Sequence, residues 1–144
     1  MLSLKDIEDA LIADVKANIT GVKTCETHEK DFDLLLLQAL LPISPFVLIR
    51  YGGTTPTEGE RYANGASGMN GREFYLSVGS VSLRTRKDAQ RGNYDLLDDL
   101  HVRYDGFSLT VGSGAVTLSY KGDRLLFSEN NLVVYALVLG WDET

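Results

Sequence analysis

Apolar residues recur at helical spacing from Leu4 to Ile19, at Leu4, Ile7, Leu11, Val15 and Ile19. That period predicts an amphipathic helix with one stripe turned to a core. Ser3 stands where an N-cap belongs, Asp6 lies near the positive end of the helix dipole, and Gly21 follows as a stop. The polar side is not rich in Lys and Arg, so the stripe reads as core rather than membrane face. Val22 to Glu26 reads as a short strand. A second helix is predicted from Phe32 to Leu41, begun by Asp31 or Asp33 and ended by Pro42. Its consecutive leucines cannot share one side. Either most of its surface is buried, or some leucines meet a partner subunit.

The period then changes. Pro45 to Tyr51 is a continuous β-prone run, which predicts a strand with both faces covered. Gly52 to Gly71 is rich in Gly, Thr, Asn and Ser and reads as one long loop. Loops of that length in compact domains are usually functional or disordered. Arg72 to Leu83 reads as a strand, with Phe74, Leu76 and Val78 on one face, Val81 and Leu83 on the other, and Gly79 as a bulge where the faces switch. A helix follows with Asn93 as its cap, Leu96, Leu97, Leu100 and Tyr104 as its buried stripe, and Gly106 as its stop.

Past Phe107 the alternation is that of strands. Phe107, Leu109 and Val111 alternate, Gly112 to Gly114 turns, and Val116, Leu118 and Tyr120 alternate again. Lys121 to Asp123 reads as another turn, leading to a strand over Arg124 to Ser128. Glu129 to Asn131 turns into the most apolar strand, Leu132 to Leu139, which is placed inside the sheet with both sides covered, by helices or by a neighbouring subunit. Trp141 to Thr144 reads as a short acidic tail. Helices early and in the middle, with antiparallel strands late, predict an α+β fold: one mixed, largely antiparallel sheet with helices packed on it.

The chain of 144 residues is expected to form one domain, residues 1–144, with enough length for a core without staples. One Cys precludes an intrachain disulfide and fits a reducing compartment. A net charge of −6 argues against a nucleic-acid binder, whose footprint would be basic. The first residues lack the apolar stretch of a secretory signal, and the longest apolar run, Leu34 to Leu41, is far below the ~20 residues that span a bilayer.

Candidate chemistry is sparse. Cys25-x-x-His28 has metal-like spacing, but the second ligand pair is missing. Gly65 to Gly71 invites comparison with a phosphate loop, yet Arg72-Glu73 stands where Lys and Ser or Thr are required. Glu58 and Glu60 are paired carboxylates in a polar loop that offers no burial to split their pKa values. There is no Gly-x-Ser-x-Gly elbow to expose a nucleophile. No catalytic residue, metal ligand or cofactor is assigned, and the chain is not expected to be an enzyme.

The most informative stretch is Ser82 to Leu100. Arg84, Arg86, Lys87 and Arg91 form a basic loop, and Asp95, Asp98 and Asp99 lie on the helix after it. Such a split suits a surface that meets copies of itself or a neighbour in an assembly; solvated charge around a strand-to-helix turn accounts for it equally simply. The pattern SLRxxxDAxRGxYxLLxDL from Ser82 to Leu100 resembles a family of small tail proteins of Mu-like phages and prophages. That family is associated with contractile tails and is thought to supply a tail terminator or completion protein. The opening helix, the strand Phe46 to Tyr51 ending in Gly52-Gly53, and the closing strand with Tyr135 fit the resemblance. Ala115 to Asn131 reads as an additional hairpin.

The resemblance implies a structural, ring-forming homo-oligomer located in a virion tail and assembled in the bacterial cytoplasm. Its partners would be tube, sheath or head-side connector proteins, with no sequence-specific nucleic acid and no membrane. The expected assembly interface comprises Arg84, Arg86, Arg91, Asp95, Asp98 and Asp99. The expected mobile interface loop includes Gly52, Gly53, Glu58, Arg61, Tyr62, Gly65 and Gly68. The alternative is a small ligand-binding or enzymatic domain using loop 52–71 as a lid.

Overall fold

The computed structural model describes residues 2–27, 45–56, 70–81, 86–129 and 132–143. Helix α1 spans Leu4–Asn18, and the Ser3 hydroxyl accepts from the Asp6 N–H at 3.1 Å, as its sequence position predicts. Strands β1 (Thr24–Thr27), β2 (Phe46–Pro56) and β3 (Asn70–Val81) follow, then helix α2 (Arg86–Tyr104). The chain ends with β4 (Ser108–Val111), β5 (Gly114–Thr117), β6 (Ser119–Glu129) and β7 (Leu132–Glu143). The predicted helix over 32–41 lies outside the described residues.

Five strands form one mixed sheet in the order β1-β2-β3-β7-β6, and β4-β5 form a separate hairpin. Among the described residues only β1 and β2 run parallel; the other pairs are antiparallel. The expected α+β class with one main mixed sheet is what the chain adopts. One sheet face carries the core: Val47 and Ile49, Phe74, Leu76 and Val78, and Leu137, Leu139 and Trp141. Ile7, Leu11 and Val15 of α1 and Leu96, Leu97, Leu100 and Tyr104 of α2 close over it. Leu109 and Val111 of the hairpin complete the same cluster.

The opposite face is covered unevenly. Phe46, Leu48, Leu132 and Val134 are buried, but Ala136 and Val138 are half-buried and Tyr75 is exposed. Within one copy of the chain, β7 is therefore covered on both sides only at its first residues. The open end of this face forms a shallow concavity of ≈ 440 Å³ lined by Glu73, Tyr75, Lys121, Asp123, Arg124 and Val138.

Several expectations about strands are corrected. Gly79 is not a bulge, since β3 stays in continuous register with β7 from Asn70 to Val81. Gly79 is instead the seat of Phe46, its cross-strand partner, whose ring occupies the space of a side chain there. Gly52 and Gly53 do not open a loop: β2 runs on to Pro56, paired as far as Asn70. A register shift between Tyr51 and Gly53 absorbs them, and Gly53 takes a φ of 119° that favours glycine. Backbone pairing outweighs the turn-like composition of this stretch.

Likewise Lys121 to Asp123 is no turn but part of β6, with shifts between Tyr120 and Gly122 and between Leu125 and Phe127. Finally, Trp141 is not in a tail. It is buried and pairs with Arg72 on β3.

Candidate assembly surface

Helix α2 begins earlier than its sequence signals indicate. Its first residue is Arg86, so Arg86, Lys87 and Arg91 belong to the helix and not to a loop before it. Arg84 lies outside the described residues. Asn93 is therefore not a cap. It is fully buried, and its side-chain amide donates to the Val133 carbonyl at 2.6 Å, tying the helix to β7. Gly92 allows this approach, because a Cβ there would sit 3.0 Å from Ser80 Oγ. The predicted stripe Leu96, Leu97, Leu100 and Tyr104 is buried, and the helix stops at Gly106 with φ 81°.

The other side of α2 faces solvent. Tyr94, Asp95, Asp98, Asp99, His101 and Val102 are all exposed. The structure thus puts the three predicted aspartates together on one surface. Arg86 and Arg91 lie in the N-terminal part of the same helix, where the dipole disfavours cations. The rise of ~1.5 Å per residue separates Arg86 from Asp98 by roughly 18 Å, beyond a direct ion pair within the helix. Of the loop residues, Gly52 and Gly53 lie in β2, while Glu58, Arg61, Tyr62, Gly65 and Gly68 lie outside the described residues.

The far end of α2 carries two arrangements the sequence did not disclose. Arg103 forks onto Asp14 of α1, with Nε to Oδ2 at 2.7 Å and Nη2 to Oδ1 at 2.8 Å. The Tyr104 hydroxyl donates to the same carboxylate at 2.6 Å, and Asn18 Nδ2 reaches Oδ1 at 3.2 Å. Burial pushes the Asp14 carboxyl up, but the bonds from Arg103 and Tyr104 and the guanidinium charge outweigh it and hold its pKa below the usual value. Burial and the Asp14 bond drive the Tyr104 hydroxyl well above its ordinary range. A cation in the last turn was the sequence signal available, but its partner stands on a distant helix.

The second arrangement joins α2 to β6. His101 stacks on Tyr120 with ring centroids 3.9 Å apart and planes 15° from parallel. Asp105 lies 3.9 Å from His101 Nε2 and accepts the Tyr120 N–H. The Tyr120 hydroxyl bonds Asp123, and its pKa is pushed up to about 12 by burial, that bond, and the charges of Asp123 and Asp98.

Between α1 and α2 lies an open cleft of ≈ 450 Å³, lined by Asn18, Ile19, Thr20, Asp98, Asp99 and Val102. Among the described residues, no group of three or more His, Cys, Asp or Glu could hold a metal ion. No described helix is long and apolar enough to cross a membrane. Cys25 is buried in β1, which raises its thiol pKa to about 11. Among the described residues this surface offers charge and aromatic area for contact.

In fold, this chain is similar to one in a gene transfer agent virion. That solved structure, the virion of a native gene transfer agent particle, superposes with a TM-score of 0.61 at 10% sequence identity. The likeness covers 94% of this chain and 92% of that one. No protein-family model and no curated protein matches the sequence. The shared architecture therefore takes in nearly the whole of both chains.

Proposed function

We propose that this chain is a structural, non-enzymatic subunit of a phage-like virion. In the finer reading it is a ring-forming tail terminator or completion protein of a contractile tail, assembled in the bacterial cytoplasm. There it contacts tube, sheath or head-side connector proteins. The observation that carries the proposal is the fold shared along nearly the full length with a virion chain. The segment Ser82 to Leu100, with its resemblance to Mu-like tail proteins, supports the finer reading. So does the exposed acidic face of α2, where Asp95, Asp98 and Asp99 lie together.

On this reading Arg84, Arg86 and Arg91 of one copy meet Asp95, Asp98 and Asp99 of the next. Exposed pairs are screened over ~8–10 Å at moderate salt, so assembly should weaken as salt rises. Native mass measurement of the purified chain tests the proposal: it predicts a closed species of several copies at low salt. Arg86→Glu should shift that species toward monomer, and Asp98→Arg added to it should restore part of the ring. A chain that stays monomeric at every concentration and salt would exclude the ring. Assembly indifferent to salt and to both reversals would leave these charges merely solvated.

A further inference from the structure

We infer that the exposed apolar patch of Tyr94, Leu125 and Leu126, built around Tyr135, is the centre of the contact between copies of this chain. This rests on the reading of the chain as a self-assembling subunit, and it names the side chains that hold copies together. Of the five large apolar side chains exposed among the described residues, three belong to the elements that meet at Tyr135: Tyr94 at 44%, Leu125 at 54% and Leu126 at 40%. Tyr94 on α2 meets Tyr135 of β7 edge to face, with centroids 6.3 Å apart. Tyr135 in turn pairs in register with Leu125 of β6, and Leu126 is the additional residue at the adjoining bulge. The patch thus spans a helix, an interior strand and an edge strand.

Exposed ion pairs alone contribute too little to hold a subunit contact. Contacts between proteins draw most of their affinity from a few desolvated aromatic and aliphatic anchors inside a polar rim. Tyr94 occupies such a central position on α2. Arg91 lies one helical turn before it, and Asp95 and Asp98 lie within the turn after it. A patch flanked by both signs of charge complements another copy of itself, whereas a partner of one sign would be opposed on one flank. The occupant assigned is therefore a second copy of this chain.

Sedimentation of the full chain tests the inference, with thermal melting followed in parallel. The double variant Leu125→Ser/Leu126→Ser and the single variant Tyr94→Ser should each self-associate at least about tenfold more weakly than the parent. Both should still melt cooperatively near the parent's midpoint. Tyr75→Ser, on the opposite sheet face, should assemble like the parent. If the double variant does not fold, Tyr94→Ser, which leaves β6 untouched, decides. Unchanged assembly of Tyr94→Ser, with Arg86→Glu still disruptive, overturns the apolar centre and leaves the ring reading standing. A parent chain that remains monomeric overturns both.

Discussion

Asp14 is the carboxylate on which Arg103, Tyr104 and Asn18 converge, and it fastens α1 to α2. Removing Arg103 leaves this partly buried carboxylate without its two forked bonds, and a hydrogen bond to a charged group typically contributes ~1.5–3 kcal/mol. Arg103→Ala should lower unfolding free energy by about 1–3 kcal/mol, and Arg103→Lys should not restore it, because a lysine cannot fork onto both oxygens. The pH dependence has a definite sign. The folded carboxyl has a depressed pKa, so its contribution is present above the unfolded value of ~3.9 and is lost as pH falls through the folded one. Denaturant titrations from pH 7 to 2 should therefore show the gap between parent and Asp14→Asn closing only on the acid side. A gap of constant size would remove Asp14 from the account. Cys25 offers a second check at this scale: with its thiol buried and its pKa raised to about 11, a maleimide at pH 8 should label it only after unfolding.

At the scale of elements, β7 decides whether the sheet forms, since it lies between β3 and β6 and pairs along its full length. A chain ending at Gly140 loses Trp141, which stacks on Phe74 at 5.0 Å, and should lose about 3–5 kcal/mol in chemical denaturation. A chain retaining Trp141 and lacking only residues 142–144 should stay much closer to the parent. Gly79→Ala should be costly in the same assay, by roughly 1–3 kcal/mol, because the Phe46 ring must move from its seat. A neutral result would mean that the ring has room.

What the sequence disclosed follows the same division. Helix α1, the buried stripe of α2 and the first half of β2 were legible because burial selects apolar residues and, in the helices, imposes their period. The start of α2 was not, because an asparagine that caps a helix and one that reaches across to the Val133 carbonyl look alike in sequence. Lys121 to Asp123 has the composition of a turn, and only the neighbouring strand shows that Lys121 is accommodated inside β6. Asp95, Asp98 and Asp99 were readable as an exposed face; the grip of Arg103 on Asp14 was not, because its partners are joined only by the fold. The patch around Tyr94 escaped for a similar reason: its leucines come from a strand far along the chain.

For the whole molecule, the covering of the sheet is one-sided at its open end. Both described helices and the β4-β5 hairpin lie on one face, and the concavity beside Tyr75 lies on the other. If copies join through α2, variants in that concavity, such as Lys121→Glu, should leave self-assembly intact while altering capture by other virion components in a reconstituted mixture. Loss of self-assembly in Lys121→Glu would show that both faces serve the same contact. The edge strand β6 adds a different consequence. Its two interruptions, at Lys121 and at Leu126, divide its pairing with β7 into three short stretches, Ser119 to Tyr120, Gly122 to Leu125 and Phe127 to Glu129. A strand arriving from outside would find no long straight edge to copy, so growth by endless strand addition is blocked where the fold is otherwise open. Concentrated protein should accordingly end in discrete particles, and deleting Leu126 to straighten the edge should turn some of them into fibres.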